Sequence, residues 1–159
     1  MGENMTFNTK YFGKIDLDDS KVITFTNGLF GFEQYKTFAL LYDSESGERP
    51  TIQWLQSTDE ETLALPVMIP TIVMPEYNPI VEEGLLESIG DWNEDTISVL
   101  VTLTVPADIK NMTTNMKAPI IINTASMKGC QVVAENTDYQ IKYGIYSILE
   151  AAKKAKEDN

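Results

Sequence analysis

The chain has 159 residues and a formal net charge of −12 at pH 7, with 43% hydrophobic and 23% charged residues. This composition is typical of one globular domain and excludes a disordered or fibrous chain. The acidic excess repels phosphate groups, which argues against direct binding of nucleic acid. No apolar run reaches the roughly 18 residues that a membrane helix needs, and the first residues lack signal-peptide order. We therefore expect a cytoplasmic protein without membrane contact.

The predicted strands are short runs of β-branched and aromatic residues between Gly, Pro, Asn and Asp. In chain order they are 6–12, 21–26, 37–42, 51–57, 63–69, 97–105, 119–123, 129–134 and 139–143. The clearest is 97–105, where apolar residues alternate and Leu100 is the one interruption. The strands are spaced too closely for a helix between each pair. The pattern therefore predicts an all-β fold, an antiparallel β-barrel-like domain.

A short amphipathic helix is predicted in the middle of the chain. Asn78 is suited to the N-cap and Pro79 to the first helical position. Val81, Leu85 and Ile89 then repeat at four-residue spacing, and Gly90 is suited to the C-terminal end. We expect this helix to interrupt the strands once.

A second amphipathic helix is predicted at the C-terminus, within 144–159, after a single domain that spans 1–143. Its apolar stripe has the i, i+3, i+4, i+7 spacing of a helix face and consists of Ile145, Ile148, Leu149 and Ala152. The stripe is suited either to packing on the barrel or to docking of a partner, and packing is the commoner role.

The negative charge is concentrated in the middle of the chain. No lysine or arginine lies between Arg49 and Lys110, whereas this stretch contains 11 acidic residues. Acidic groups presented on one side of the fold would attract and orient a basic partner. The alternative interpretation is an ordinary solvated acidic surface.

Residues that carry chemistry are scarce. The chain has no histidine, which removes the commonest general base and the imidazole ligands of zinc. Its single cysteine, Cys130, lies in a predicted strand and is expected to be a buried core residue. Two acidic stretches, 16–20 and 91–95, lack the sixth-position glycine of a calcium loop, and turn chemistry explains them better. We predict no catalytic, metal or cofactor site, and no enzyme.

Several segments of the chain form a recognisable set in their order and spacing. They are 7–15, 23–25, 28–32, 54–57, 75–77, 115–123, 131–133 and 138–139. Together they resemble the FliW family of bacterial flagellar assembly factors over roughly residues 5–143, and 115–123 is the strongest match. The resemblance implies a β-barrel-like fold, in agreement with the strand count.

The resemblance also implies a regulatory role. Proteins of this family bind flagellin in the cytoplasm, and when free of flagellin they bind and antagonise the translational repressor CsrA, which relieves repression of flagellin translation. The ends of flagellin are amphipathic helices, which an apolar groove with a polar rim could cover. Two alternatives are a flagellin-specific chaperone without a regulatory role and a small-ligand-binding β-barrel.

The candidate partner-binding residues fall into three groups. For the basic repressor we select the acidic residues around the predicted helix, Glu82, Glu83, Glu87, Asp91, Glu94 and Asp95. The glycine-framed loop contributes Leu29, Phe30 and Phe32, which either plug the end of the barrel or form an exposed patch. The strongest family match contributes Met116, Lys117 and Pro119, although the apolar run that follows them also fits a buried strand.

Overall fold

The computed structural model describes residues 3–42 and 51–157, so residues 43–50 and the outermost ends of the predicted 1–143 and 144–159 units lie outside the described residues. Within these ranges the strands are β1 (Asn4–Asn8), β2 (Lys14–Asp18), β3 (Ile23–Thr24), β4 (Thr37–Leu41), β5 (Gln53–Ser57), β6 (Ala64–Met68), β7 (Ile97–Thr104), β8 (Thr113–Thr114), β9 (Ile120–Asn123), β10 (Lys128–Gln131) and β11 (Tyr143–Gly144). One α-helix, α1 (Tyr146–Glu157), follows them, and short 3-10 helices lie at Asp19–Lys21, Pro70–Ile72, Glu83–Ile89 and Ile109–Asn111.

Seven strands close into a barrel in the order β7-β6-β5-β4-β3-β10-β9, and β9 returns to pair with β7. Neighbouring strands are antiparallel except β3 and β10, which are parallel where Thr24 pairs with Lys128. Strands β1 and β2 form a separate hairpin, while β8 and β11 extend the sheet beyond β7. The predicted all-β, barrel-like fold is confirmed, and the parallel pair makes the sheet mixed.

The interior of the barrel is filled by apolar side chains. Phe38 is fully buried and meets the ring of Phe25 edge to face, with 5.6 Å between the ring centroids. A Cβ at position 129 would collide with the Phe25 ring, so Gly129 allows this packing. The other buried members of the cluster are Ile23, Leu29, Leu55, Val67, Leu100, Ile120 and Ile122. A small-ligand barrel needs convergent polar groups at these positions, and the packed apolar interior argues against that alternative.

Strand β7 is buried on both faces. Leu100, the interruption of the predicted alternation, belongs to the interior cluster, whereas Val101 and Leu103 belong to a cluster outside the barrel. The outer cluster also contains Met68, Val73, Tyr77, Met112, Met116 and Ile145, with Leu149 of α1 packed against it. The predicted apolar face of this strand is therefore its outer face, because helices and loops cover it.

Strands β8 and β9 pair with the same neighbour and are separated by residues 115–119. Strand β9 pairs with Ile97–Leu100 in the first half of β7, and β8 pairs with Leu103 and Thr104. Between them the Asn115 side-chain oxygen accepts the N–H groups of Lys117 at 3.0 Å and Ala118 at 3.1 Å. This asparagine turn takes residues 115–119 out of the hydrogen-bonded pairing with β7, and the chain pairs with β7 again at β9.

One turn prediction and one strand prediction are wrong in part. Residues 16–20, assigned to turn chemistry, begin inside β2, because Lys14–Asp18 pairs along its whole length with β1, and only Asp18 acts as a cap by accepting the N–H of Ser20. The predicted strand 139–143 contributes only Tyr143 to β11, while Tyr139 stacks on Tyr77 with centroids 4.8 Å apart. Local pattern could not show these long-range pairings.

The middle helix is shorter than predicted and of the 3-10 type. It begins at Glu83 rather than after Asn78, because tertiary hydrogen bonds occupy the backbone at 78–80. The Asn78 N–H donates to the Tyr139 hydroxyl at 2.8 Å, and the Ile80 N–H donates to the Asn136 side chain at 2.6 Å. The predicted end at Gly90 is confirmed.

The predicted C-terminal helix is confirmed as α1. Ile145, just before it, is fully buried, and Leu149 is half-buried in the outer cluster. Residues 151–155 are exposed, so Ala152, the last residue of the predicted apolar stripe, is not covered by the barrel. No helix in the described part of the chain combines the length and the apolar character required to cross a membrane.

Candidate partner-binding site

The acidic 3-10 helix Glu83–Ile89 is held to the outside of the barrel by its two buried residues. Leu86 and Ile89 pack on Ile121, Cys130 and Val132, which lie on or beside β9 and β10. This apolar contact fixes one face of the helix on the sheet. The remaining face, which carries the carboxylates, is therefore exposed to solvent.

Asn123 fixes the end of this helix. Its side chain is fully buried, and its Nδ2 donates to the carbonyl oxygen of Ile89 at 2.8 Å and to that of Asp91 at 2.9 Å. The Ser126 hydroxyl donates to the same Ile89 oxygen at 2.7 Å. Sequence reasoning missed Asn123, although a polar residue directly after the apolar run 120–122 was a signal that it could be a buried hydrogen-bonding residue.

Three of the six predicted acidic residues surround one groove. Glu83, Glu87 and Asp91 line an open groove of about 880 Å³ together with the exposed side chain of Trp92. The other three, Glu82, Glu94 and Asp95, are exposed but lie beside the groove rather than in its lining. The structure thus brings half of the predicted carboxylates together and places the rest around them.

The glycine-framed loop divides into a buried and an exposed part. Leu29 is buried in the barrel interior, Phe32 is half-buried, and Phe30 is 50% exposed. Gly28 adopts φ +72°, and a Cβ there would lie 2.5 Å from the Glu33 Cα, so this turn requires glycine. Leu29 therefore plugs the barrel, and Phe30 projects from it.

The exposed part of this loop adjoins the acidic helix. The Phe30 N–H donates to the Gln131 side chain at 2.9 Å, and Phe30, Leu85 and Val133 line a groove of about 320 Å³. A third hollow shares Leu85 with this groove and Glu87 with the acidic groove, so the three hollows adjoin. We call the combined region the acidic surface; it consists of Phe30, Glu83, Leu85, Glu87, Asp91, Trp92 and Val133.

Met116, Lys117 and Pro119 lie in the 115–119 turn, not on the acidic surface. Met116 is fully buried, and its carbonyl oxygen accepts the Tyr77 hydroxyl at 2.7 Å. The Lys117 ammonium group donates to the Asn136 carbonyl oxygen at 2.6 Å, and Pro119 is buried. These contacts favour the structural interpretation of the strongest family match.

The buried titratable groups show no sign of reactivity. Burial raises the pKa of the Cys130 thiol to about 11, so the thiol stays protonated at neutral pH and is a poor nucleophile. Burial, with a smaller contribution from Tyr139, also raises the pKa of Tyr77. The arrangement is suited to binding a partner by charge and apolar contact.

Comparison with known proteins identifies the family of this chain. The family model described as FliW protein matches residues 6–145. The flagellar assembly factor FliW of Lachnoclostridium phytofermentans is 50% identical over 97% of this chain and 98% of its own length. That of Lachnospira eligens is 49% identical over 98% of this chain and 100% of its own length.

A solved structure agrees with the sequence comparison. A crystal structure of the flagellar assembly factor FliW superimposes with a TM-score of 0.80 at 29% identity, over 89% of this chain and 97% of that chain. The likeness of fold and the identity over nearly the full length agree. The chain therefore belongs to the FliW family.

Proposed function

We propose that this protein is a flagellar assembly factor that works as a regulatory binding protein in the cytoplasm and not as an enzyme. It binds flagellin, and when it is free of flagellin it binds and antagonises the translational repressor CsrA, which relieves repression of flagellin translation. The names of its relatives support the role in flagellar assembly. Its acidic surface supports the binding of a basic partner.

The observation that carries the proposal is the combination of charge and apolar contact on the acidic surface. Glu83, Glu87 and Asp91 lie beside the exposed side chains of Leu85 and Phe30. A repressor that binds RNA is basic, so these carboxylates attract it while they repel RNA. Once the carboxylates have oriented the partner, the apolar side chains supply the contacts from which water is excluded.

The test is a calorimetric titration of the purified protein with CsrA from the same organism, at low and at moderate salt. We expect saturable binding that weakens as salt is raised, because salt screens exposed charges. A variant with amides at all six predicted positions should associate more slowly and with less dependence on salt. The positions are Glu82, Glu83, Glu87, Asp91, Glu94 and Asp95.

A matched pair of triple variants separates local charge from total charge. The first replaces the three groove-lining acids by amides, as Glu83→Gln, Glu87→Gln and Asp91→Asn. The second changes the net charge equally at exposed acids elsewhere, as Glu3→Gln, Asp19→Asn and Glu61→Gln. The first triple variant should lose most of the affinity for the repressor that the six-position variant loses. Equal effects of the two would mean that net charge, and not the acidic surface, attracts the repressor.

Absence of binding at both salt concentrations, with both proteins folded, would contradict the regulatory part of the proposal. The alternative of a flagellin-specific chaperone would then be favoured, provided that flagellin still binds. Binding of neither partner would contradict the proposal as a whole.

A further inference from the structure

The N-terminal hairpin has two edges that pair with no strand of the described residues. Strands β1 and β2 pair with each other along their full length and stay outside the barrel sheet. The Thr9 N–H donates to the Gly13 carbonyl oxygen and the Asp19 N–H to the Glu3 carbonyl oxygen, both at 2.8 Å. Both bonds join odd-numbered residues, and hydrogen-bonded pairs alternate along an antiparallel ladder. The N–H and C=O groups of the even-numbered residues therefore point outward, along the two edges.

One of these edges is protected by charge and the other is not. The outward-pointing residues of β2 are Lys14, Asp16 and Asp18. Charged side chains on an edge strand are a usual protection against pairing with another strand. The outward-pointing residues of β1 are exposed and uncharged, and they are Asn4, Thr6 and Asn8. In a chain of net charge −12, the edge of β1 is therefore open to a further strand.

The sequence of β1 is self-complementary about Thr6. When a second β1 lies antiparallel beside the first with Thr6 opposite Thr6, Asn4 lies opposite Asn8 and Met5 lies opposite Phe7. The even positions then face each other as pairs that exchange two hydrogen bonds each, and the groups they use are the outward-pointing ones. A shift by one residue would set even residues opposite odd ones and lose these bonds.

The side chains match in the same register. Met5 and Phe7 lie on one face of β1, where a thioether beside an aromatic ring is a favourable contact. Thr6 lies on the other face, and a cross-strand pair of threonines stabilises a sheet. Asp16 is the partner of Thr6 in the hairpin, so the two copies of Asp16 would lie three strand spacings, about 14 Å, apart. This separation exceeds the Debye length of about 8 Å at physiological ionic strength, so their repulsion is screened.

We propose that the open edge of β1 binds a second copy of this chain, with Asn4–Asn8 of the two copies paired antiparallel about a twofold axis at Thr6. The product is a four-stranded sheet in the order β2-β1-β1-β2, in which both copies use the same surface, as in other twofold dimers. Five residues from each copy are far fewer than the roughly 20–30 of a stable interface, so the dimer should form weakly and reversibly. The edge shares no residue with the acidic surface, so this inference does not depend on the proposed function.

The first experiment measures sedimentation of the full chain at rising concentrations, up to millimolar. Thr6→Pro removes the outward N–H at the centre of the edge and leaves the hairpin bonds of the odd residues in place. We expect it to raise the dissociation constant of the dimer at least about tenfold, because each copy loses a central donor. The matched control is Asp16→Pro, which removes the outward N–H directly opposite on β2 and should leave the dissociation constant within about threefold. Circular dichroism checks that both variants are folded.

Cross-linking tests the register without disturbing the backbone. Thr6→Cys should give a disulfide-linked dimer with an added thiol oxidant, because opposite residues of a hydrogen-bonded pair lie about 5.5 Å apart between Cα atoms. Asn4→Cys alone should not, because its two copies are offset by about 13 Å along the strands. A mixture of Asn4→Cys and Asn8→Cys should cross-link. The native Cys130 does not compete, since it is buried.

Three results would overturn the inference. The first is a chain that stays monomeric at every concentration. The second is a dimer that Thr6→Pro leaves intact, or that Asp16→Pro weakens equally, because either result places self-association elsewhere. The third is cross-linking of Asn4→Cys alone as readily as of Thr6→Cys, which would mean a different register. None of these measurements involves flagellin or the repressor, so the proposed function stands or fails separately.

Discussion

The acidic surface differs in what it exposes from a second surface, the α1 groove. The α1 groove lies on the outside of the barrel beside α1, and its principal lining residues are Tyr11, Ile52, Trp54, Ile72, Val105 and Ile109. The acidic surface presents three carboxylates around a few apolar side chains, chiefly Phe30 and Leu85. The α1 groove presents a continuous run of aliphatic and aromatic side chains between Lys10 and Lys153. A net charge of −12 is therefore unevenly spread, because carboxylates cluster on the acidic surface, whereas the α1 groove is lined mainly by apolar side chains.

The two surfaces also differ in how they are held. The acidic helix rests on Leu86 and Ile89 and on the hydrogen bonds of Asn123, whereas the α1 groove is built on the outer cluster through Met112 and Leu149. Separate supports mean that a substitution can damage one surface and leave the other intact.

Removal of a shared core residue should damage both surfaces. Phe38→Ala removes a fully buried ring from the barrel interior, next to Phe25, and should lower the free energy of unfolding by about 3–5 kcal/mol. Urea denaturation followed by circular dichroism measures this change. Exposed Tyr11→Ala is the control, and a loss for Phe38→Ala no larger than the control would contradict the packed interior.

Removal of the Asn123 side chain should damage the acidic surface alone. Asn123→Ala leaves the Asp91 carbonyl oxygen without its donor, removes one of the two donors to the Ile89 carbonyl oxygen, and should cost about 1–3 kcal/mol of stability. Binding of the repressor should weaken. Thr124→Val is the control, since the exposed Thr124 hydroxyl bonds only the nearby Thr96 carbonyl among the described contacts. An equal loss of repressor binding in the control would mean that the Asn123 hydrogen bonds do not hold the acidic surface in place.

The Cys130 thiol should report on docking of the acidic helix. It lies beneath Leu86 and Ile89 with its pKa raised to about 11, so thiol reagents should label it slowly at neutral pH. Asn123→Ala should accelerate labelling severalfold, and Ile72→Asp/Ile109→Asp should not. Fast labelling of the unmodified protein would contradict the described burial.

The same thiol gives a stability change at high pH. Its folded pKa of about 11 is above the ordinary value of 9.0, so the folded state holds the proton more tightly than the unfolded state. The stabilisation is fully present below pH 9.0 and is lost as the pH rises through about 11. Cys130→Ala should remove this part of the decline, which parallel denaturation series at rising pH would measure.

The smallest effect is expected at Glu33. Its carboxylate accepts the Gly31 N–H at 2.9 Å, and that bond holds its pKa below the ordinary value of 4.5. Glu33→Gln should therefore lower the thermal midpoint slightly at neutral pH, and the difference should shrink as the pH falls through the lowered pKa. A difference that stays constant with pH would mean that the carboxylate charge does not stabilise the Phe30 loop.

The strands of the barrel were largely predictable because their apolar residues are β-branched and their breaks are marked by Gly, Pro, Asn and Asp. The alternation in 97–105 gave strand β7, but it could not show that its apolar face lies outside the barrel or that Leu100 points inward. Closure of β9 on β7 and the parallel pairing of β3 with β10 depend on contacts distant in sequence. Such pairings leave no local pattern.

The site was predictable in its charge but not in its geometry. The acidic residues were evident from the gap in lysine and arginine between Arg49 and Lys110. Their approach to Phe30 depends on the packing of the 3-10 helix on Cys130 and on the buried Asn123, which a single sequence does not reveal. The α1 groove was missed because Ile72 and Ile109 lie in three-residue 3-10 helices, which are too short to show a hydrophobic period.

Strand β7 sets the distance across which the two surfaces can influence each other. It follows the acidic turn that contains Asp95 and ends next to Val105 in the α1 groove, and its eight residues span about 25 Å. At physiological ionic strength the Debye length is about 8 Å, so the charge of a partner bound at one surface is screened at the other. Coupling between the two surfaces would therefore have to pass through the packing of β7, which is in contact with the interior on one face and with the outer clusters on the other.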